Sequence, residues 1–221
     1  VSSVFQYLPQ LLEGLWTTAR ITFLASGLAL VLSFLAGMTR TAAPSPFRQL
    51  AAGYVEVFRG SSLLVQMFWI YYALPAFGVE VGAFLAGVLT LGLNVGAYGA
   101  EVVRGAILSL PRGQSEAALA LGFSPALRLR RILVPQALPR MIPPLGNLAI
   151  ELLKGTALVS LITIHDLTFK AQMVRSVTLQ TGLVFGLILL LYLALALAIT
   201  AGVRAGERRI QAAYGVPGDA G

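Results

Sequence analysis

The 221-residue chain is 57% hydrophobic and 11% charged, against roughly 25% charged in average soluble domains, so it cannot cover a globular surface with polar groups. It contains no cysteine, which excludes disulfides, thiolate metal sites and cysteine nucleophiles. The net charge of +7 does not point to nucleic acid, because the basic residues lie between apolar spans, where the positive-inside rule puts them. Crossing the hydrocarbon core takes about 20 apolar residues. Ahead of the first such run, Phe5, Leu8, Leu11, Leu12, Leu15 and Trp16 form an amphipathic pattern suited to the outer interface, with Pro9 limiting its length. The pattern then predicts five spans, near residues 18–38, 62–75, 84–103, 141–164 and 182–203. The second is short unless residues 53–61 extend it. The whole chain, 1–221, reads as one all-α membrane domain without tandem repeats, and residues 212–221 form a short tail expected to fray.

Five spans put the two termini on opposite sides. With the amino terminus outside, Arg40, Arg48, Arg59, Arg104, Arg112, the arginines between 128 and 140, and Arg204, Arg208 and Arg209 all fall inside. The outer side keeps Arg20, Lys170 and Arg175. The reverse orientation would invert the positive-inside rule. A cleavable signal peptide is not expected, since the first span is long and most of its basic flank follows it.

Between the third and fourth spans lies a polar, basic loop at residues 108–137. Glu116, Ala117, Ala118, Leu119 and Ala120 have high helix propensity, and Gly122 can take the left-handed conformation that ends a helix. Ser124 and Pro125 restart one, as a side-chain cap followed by a ring already at helical φ. The second helix carries Arg128, Arg130 and Arg131 and is expected to stop near Pro135. Two short helices at an angle make a knob suited to docking on a cytoplasmic partner.

These residues resemble the Glu-Ala-Ala loop of permease subunits from bacterial ATP-driven (ABC) importers, in the polar amino acid branch. The likeness extends through Phe58-Arg59-Gly60, Leu63-Leu64-Val65-Gln66, Gly96-Ala97-Tyr98, Glu101, Arg104-Gly105-Ala106 and Pro111-Arg112-Gly113-Gln114. It continues in Glu116-Ala117-Ala118, Gly122, Pro135-Gln136, Pro143-Pro144-Leu145-Gly146-Asn147 and Lys154-x-Thr156-x-Leu158-Val159-Ser160. Ser62, where such permeases usually have proline, and Gly155, where a polar residue is common, depart from the pattern. The resemblance implies a type I importer permease of five transmembrane helices whose Glu116, Ala117, Ala118, Gly122, Ser124 and Arg128 couple to a separate ATPase. It also implies partners: cytoplasmic ATPase subunits, a second permease copy or paralogue, and an external substrate-binding protein.

Other residues bear on the path of the solute. Glu151 and Lys154 are three apart, share a helix face and lie near mid-membrane when counted from Pro144. Facing lipid, each would cost about 2.5–3.5 kcal/mol. They form either an internal ion pair or a place for a zwitterion. Asn147 lies one turn earlier on the same face. Asn94, Tyr98 and Glu101 share a face of the third span, as inter-helix hydrogen bonders or as a path wall; Glu101 can also pair with Arg104 at i+3. Gly92/Gly96 and Gly182/Gly186 permit close helix contact, and Pro143, Pro144 and Gly155 are expected to interrupt the fourth span. His165, the sole histidine, lies on the outer side with Asp166, which can cap a helix running from Leu167 towards Arg175.

The leading reading is therefore an inner-membrane permease subunit, not itself an enzyme, for a polar amino acid or related small zwitterion. The chain has no phosphate-binding Gly-x4-Gly-Lys-Ser/Thr loop, so ATP and Mg belong to the partner and no cofactor is expected here. An ATP-independent secondary transporter is the alternative; it would show two repeated halves with interrupted helices in both. An intramembrane enzyme is the third class, weakened by the lack of His-Glu-x-x-His and Gly-x-Ser-x-Gly motifs.

Overall fold

A computed structural model of the protein describes residues 4 and 6–214, and every regular element among them is helical. Helix α1 (Leu8–Ala42) is 35 residues long, about 52 Å at 1.5 Å per residue. Pro9 sits in its first turn, where a missing N–H costs nothing. The separate interfacial helix expected before the first span is thus the start of α1 itself; Phe5 lies outside the described residues. Leu11 is buried against Leu167 and Ala171, whereas Trp16 is exposed.

The second crossing is assembled from two half-helices. Helix α2 (Ser45–Gly60) ends where Ser61 turns extended, and α3 (Leu63–Phe68) runs on through a π turn (Trp69–Ala73) and a 3-10 turn (Leu74–Phe77). A break at membrane depth frees backbone carbonyls that must find donors inside the protein. The Gln66 amide nitrogen donates to the Phe58 carbonyl at 2.9 Å and to the Ser61 carbonyl at 3.2 Å, and the Asn94 amide also donates to Phe58 at 2.9 Å. The extension of the short second span by residues 53–61 is therefore real, but it is jointed.

Helix α4 (Ala83–Leu108) runs parallel to α1, and these two make the most extensive helix contact in the molecule. Its small residues allow this. A Cβ on Gly92 would lie 2.6 Å from the Leu28 side chain, and one on Gly96 would lie 2.9 Å from both Leu32 and the Tyr54 hydroxyl. The Gly92/Gly96 pair thus serves packing within the chain, while Gly182 and Gly186 have open space before them.

After α5 (Arg112–Ala120) comes the largest departure from expectation. Helix α6 (Pro125–Arg128) does not stop near Pro135; it passes through a π turn (Leu129–Leu133) into α7 (Val134–Gly155) and a 3-10 segment (Thr156–Ile162). The wider π turn precedes Pro135, which enters the first turn of α7 and so lacks no needed hydrogen bond. Pro139, Pro143 and Pro144 likewise stay within α7 without interrupting it; only Gly155 marks a change of helix type. Residues Pro125–Ile162 form one 38-residue rod.

Helix α8 (Leu167–Thr178) is capped by Asp166, whose carboxylate accepts from the Phe169 N–H at 2.9 Å and the Thr168 N–H at 3.2 Å, as expected. Helix α9 (Thr181–Tyr214) is the least buried span, exposing Leu189, Leu190 and Leu197 to the bilayer. Of the tail expected to fray, residues 215–221 lie outside the described residues. Among the described residues four helices are long and apolar enough to cross a membrane singly, and the jointed α2–α3 pair makes the fifth crossing.

Candidate functional site

The knob at residues 111–128 lies at the end of the bundle where α1 and α4 finish. Helix α5 closes in a Schellman motif: the Gly122 N–H donates to Leu119 at 2.9 Å and the Phe123 N–H to Ala118 at 3.0 Å. Gly122 has φ +76°, the left-handed region. Ser124 caps α6 by accepting from the Leu127 N–H at 3.4 Å, and Pro125 is its first residue. The Gln136 amide reaches Gln114 at 3.2 Å, which ties α5 to the rod. Glu116 and Ala117 are exposed, but Ala118 is buried, so it supports the knob from inside and does not face a partner. Arg128 is half-buried, and its Nε has no hydrogen-bond partner. The surface instead shows three leucines that sequence reasoning passed over: Leu119, Leu121 and Leu127 are 63%, 74% and 41% exposed. The knob thus carries three exposed large apolar side chains on an otherwise polar surface.

Around the joint of the second span, the polar residues divide by role. Asn94 is buried, and its amide holds the Phe58 carbonyl and the Gln66 side chain, so it braces the joint from behind. Tyr98 is 39% exposed, with its hydroxyl near the Arg59 carbonyl at 3.5 Å. Asn147, Glu151 and Lys154 are all exposed on α7, on the face turned away from its contacts with α1 and α4. Glu151 lies one turn before Gly155, where an added Cβ would meet Leu91 at 3.2 Å and Leu63 at 3.4 Å. Glu151 and Lys154 do not form the internal ion pair that one reading of their spacing allows. Lys154 instead borders a cavity of about 720 Å³ between α7, α8 and α9, beside Thr168 and Tyr192.

Glu101 has more company than Arg104. Its carboxylate bonds Arg40 at the end of α1, lies 3.4 Å from Arg59 on α2 and 3.6 Å from Arg104. Arg59, expected at the inner end of the membrane, lies deeper; its carbonyl meets Tyr98, ten residues (about 15 Å) before the end of α4. Its guanidinium stacks 5.3 Å from the centre of the Tyr98 ring. Arg40 and Arg59 belong to this cluster through contacts across more than 40 residues of sequence, which local spacing does not reveal.

At the opposite end of the bundle Asp166 is fully buried, and burial pushes its carboxyl up to about 6 despite the two cap hydrogen bonds that favour its charged form. His165 is exposed and stacks on Phe169 at 4.6 Å. Lys170 pairs with Glu13 at 3.2 Å.

Residues 29–211 match the family described as binding-protein-dependent transport system inner membrane component. The chain is 47% identical over 176 residues to a probable amino-acid ABC transporter permease, y4tF, of Sinorhizobium fredii, covering 77% of this chain and 74% of that one. It is 41% identical to the glutamine transport system permease GlnP of Escherichia coli (78% and 80% covered). It is 39% identical to the L-cystine permease TcyB of Bacillus subtilis (80% and 75%). Among solved structures, an amino acid ABC transporter with histidines superposes with a TM-score of 0.84 at 36% identity, covering 94% of this chain and 97% of that one. The inward-facing MetNI methionine transporter shares the fold, with a TM-score of 0.79 at 21% identity over 93% and 98% of the two chains. The jointed second span, the Schellman-closed knob and the rod that joins knob to membrane are thus found in a chain that belongs to the inner membrane component family of binding-protein-dependent transport systems, the permease subunits of ABC importers.

Proposed function

We propose that this permease imports a polar amino acid or a related small zwitterion, delivered by an external substrate-binding protein, through a path shared with a second permease copy or paralogue. The observation that carries the reading is the exposed row Asn147, Glu151 and Lys154 on α7: charges at mid-membrane depth need protein or water beside them, not lipid. Tyr98 adds to the wall on α4, and Asn94 braces the joint of the second span behind it. Amino-acid, glutamine and cystine permeases among the relatives support the solute class.

ATP and Mg bind a separate cytoplasmic subunit that grips the knob through Glu116, Ala117, Ser124, Arg128 and the exposed leucines, with Ala118 and Gly122 fixing its shape. In this arrangement the arginine-rich end faces the cytoplasm, the amino terminus lies outside the inner membrane, and α8 with His165 faces the external binding protein. The positive-inside rule supports that orientation. The test is reconstitution with the ATPase in proteoliposomes, followed by uptake of radiolabelled L-glutamine, L-arginine, L-histidine and L-cystine. Uptake of at least one that requires both ATP and the external binding protein is expected. Equal uptake without ATP would overturn the reading.

A further inference from the structure

We propose that Arg59 receives the carboxylate of the solute, facing Glu151, which takes its cationic group; the inference rests on the amino-acid reading above. Three guanidinium groups from three helices share the Glu101 carboxylate, so the cluster carries an excess of positive charge near the ends of α1 and α4. A guanidinium in such a cluster that is not fully engaged by Glu101 is free to take a second carboxylate. The three arginines are not equivalent. Arg40 is 14% exposed and makes the closest bond to Glu101, which marks it as the structural partner. Arg104 is a neighbour on the same helix as Glu101, one turn away. Arg59 is 42% exposed, stands off at 3.4 Å, and is held mainly by stacking on Tyr98.

The location is suited to the task. Arg59 is the penultimate residue of the half-helix α2, at the joint of the second span, and Tyr98 beneath it is itself open. Leu63 begins the next half-helix, and its side chain lies 3.4 Å from where a Cβ on Gly155, one turn beyond Glu151, would stand. Arg59 thus ends the half-helix before the joint, and Glu151, which makes no ion pair among the described residues, lies one turn from the α7 glycine that packs by Leu63 just after it. A guanidinium binds a carboxylate through two parallel N–H donors. Arg59 can exchange its loose contact with Glu101 for such a pair without leaving the Tyr98 ring, and Arg40 keeps Glu101 satisfied meanwhile.

The test uses the detergent-solubilised permease–ATPase complex without any external binding protein, so that selection by the permease alone is read. Isothermal titration is run with L-glutamine, L-arginine, L-histidine and L-cystine, and with the carboxamide of whichever binds. The wild-type complex is expected to prefer the acid to the amide by at least about tenfold, a charge-assisted pair being about twice as strong as a neutral one. Arg59→Met should bring that preference near unity, and Arg59→Lys should restore part of it. An unchanged acid-to-amide ratio in an assembled Arg59→Met complex overturns the inference. So does recovery of assembly, but not of binding preference, by pairing Arg59→Met with Glu101→Gln, which would make Arg59 a structural counter-ion. If none of the four amino acids binds the wild type, the amino-acid reading itself fails.

Discussion

Replacing Gly122 by valine isolates the mechanical role of the knob. A Cβ at Gly122 meets nothing within 4 Å, so the substitution adds no clash. The only cost is conformational, because φ is +76°. Left-handed backbone costs an L-residue roughly 1–2 kcal/mol, and a β-branched residue is a genuine outlier there. That penalty lowers the population of the closed Schellman turn about 5- to 30-fold. Asparagine tolerates the left-handed region, so Gly122→Asn should change little although it adds more atoms. The assay pairs the affinity of the solubilised permease for its ATPase, by biolayer interferometry, with ATP-dependent uptake in proteoliposomes. Gly122→Val should weaken both by about 5- to 30-fold while membrane insertion and the melting temperature of the span region persist. Equal behaviour of the valine and wild-type proteins would refute the docking role. Loss in Gly122→Asn as severe as in Gly122→Val would show that bulk, not backbone conformation, matters.

Glu151→Gln keeps shape and removes charge; because Glu151 has no ion-pair partner among the described residues, the complex should assemble with basal ATPase activity and show uptake or solute selectivity altered by about tenfold, whereas loss of assembly rescued by neutralising Lys154 would mean a structural pair. A single cysteine at Thr178 should react with an impermeant maleimide from outside intact cells and one at Ser124 should not; the opposite pattern overturns the orientation. For Asp166 burial raises the folded carboxyl from an ordinary 3.8 to about 6, so its charge destabilises the fold: its own contribution to stability is greatest below about pH 4 and falls by up to about 3 kcal/mol as pH rises through 6. Asp166→Asn retains a cap and lacks the charge, so it should melt higher than wild type at pH 7.5 and converge with it near pH 4; a wild type that melts higher at pH 7.5 refutes the argument.

Apolar runs alone marked the long spans, because α1, α4 and α9 bury or expose hydrocarbon along their whole length. The second crossing was half hidden. Arg48, Glu56 and Arg59 break its hydropathy, and the groups that make its joint tolerable, Gln66 and Asn94, act on Phe58 from 8 and 36 residues away. The turn at Gly122 and the caps at Ser124 and Asp166 were legible because each depends on neighbours in sequence. Pro135 misled for the opposite reason: a π turn just ahead of it, set by packing of Leu129 and Leu133 against α4, lets the helix pass. Burial of Ala118 and the arginines around Glu101 required the tertiary fold.

The unbroken helix from Pro125 to Ile162 sets a phase as well as a length. From Pro125 to Glu151 is 26 residues, about 39 Å of a stiff screw. One residue more or fewer between them would turn the carboxylate by about 100° around the axis while leaving the knob where it was. The knob and the Glu151 face are therefore indexed to each other like the head and thread of one bolt. If the knob docks an ATPase and Glu151 meets the solute, as proposed above, a torque applied at one would reach the other as rotation, and the spacing between them would matter as much as either end.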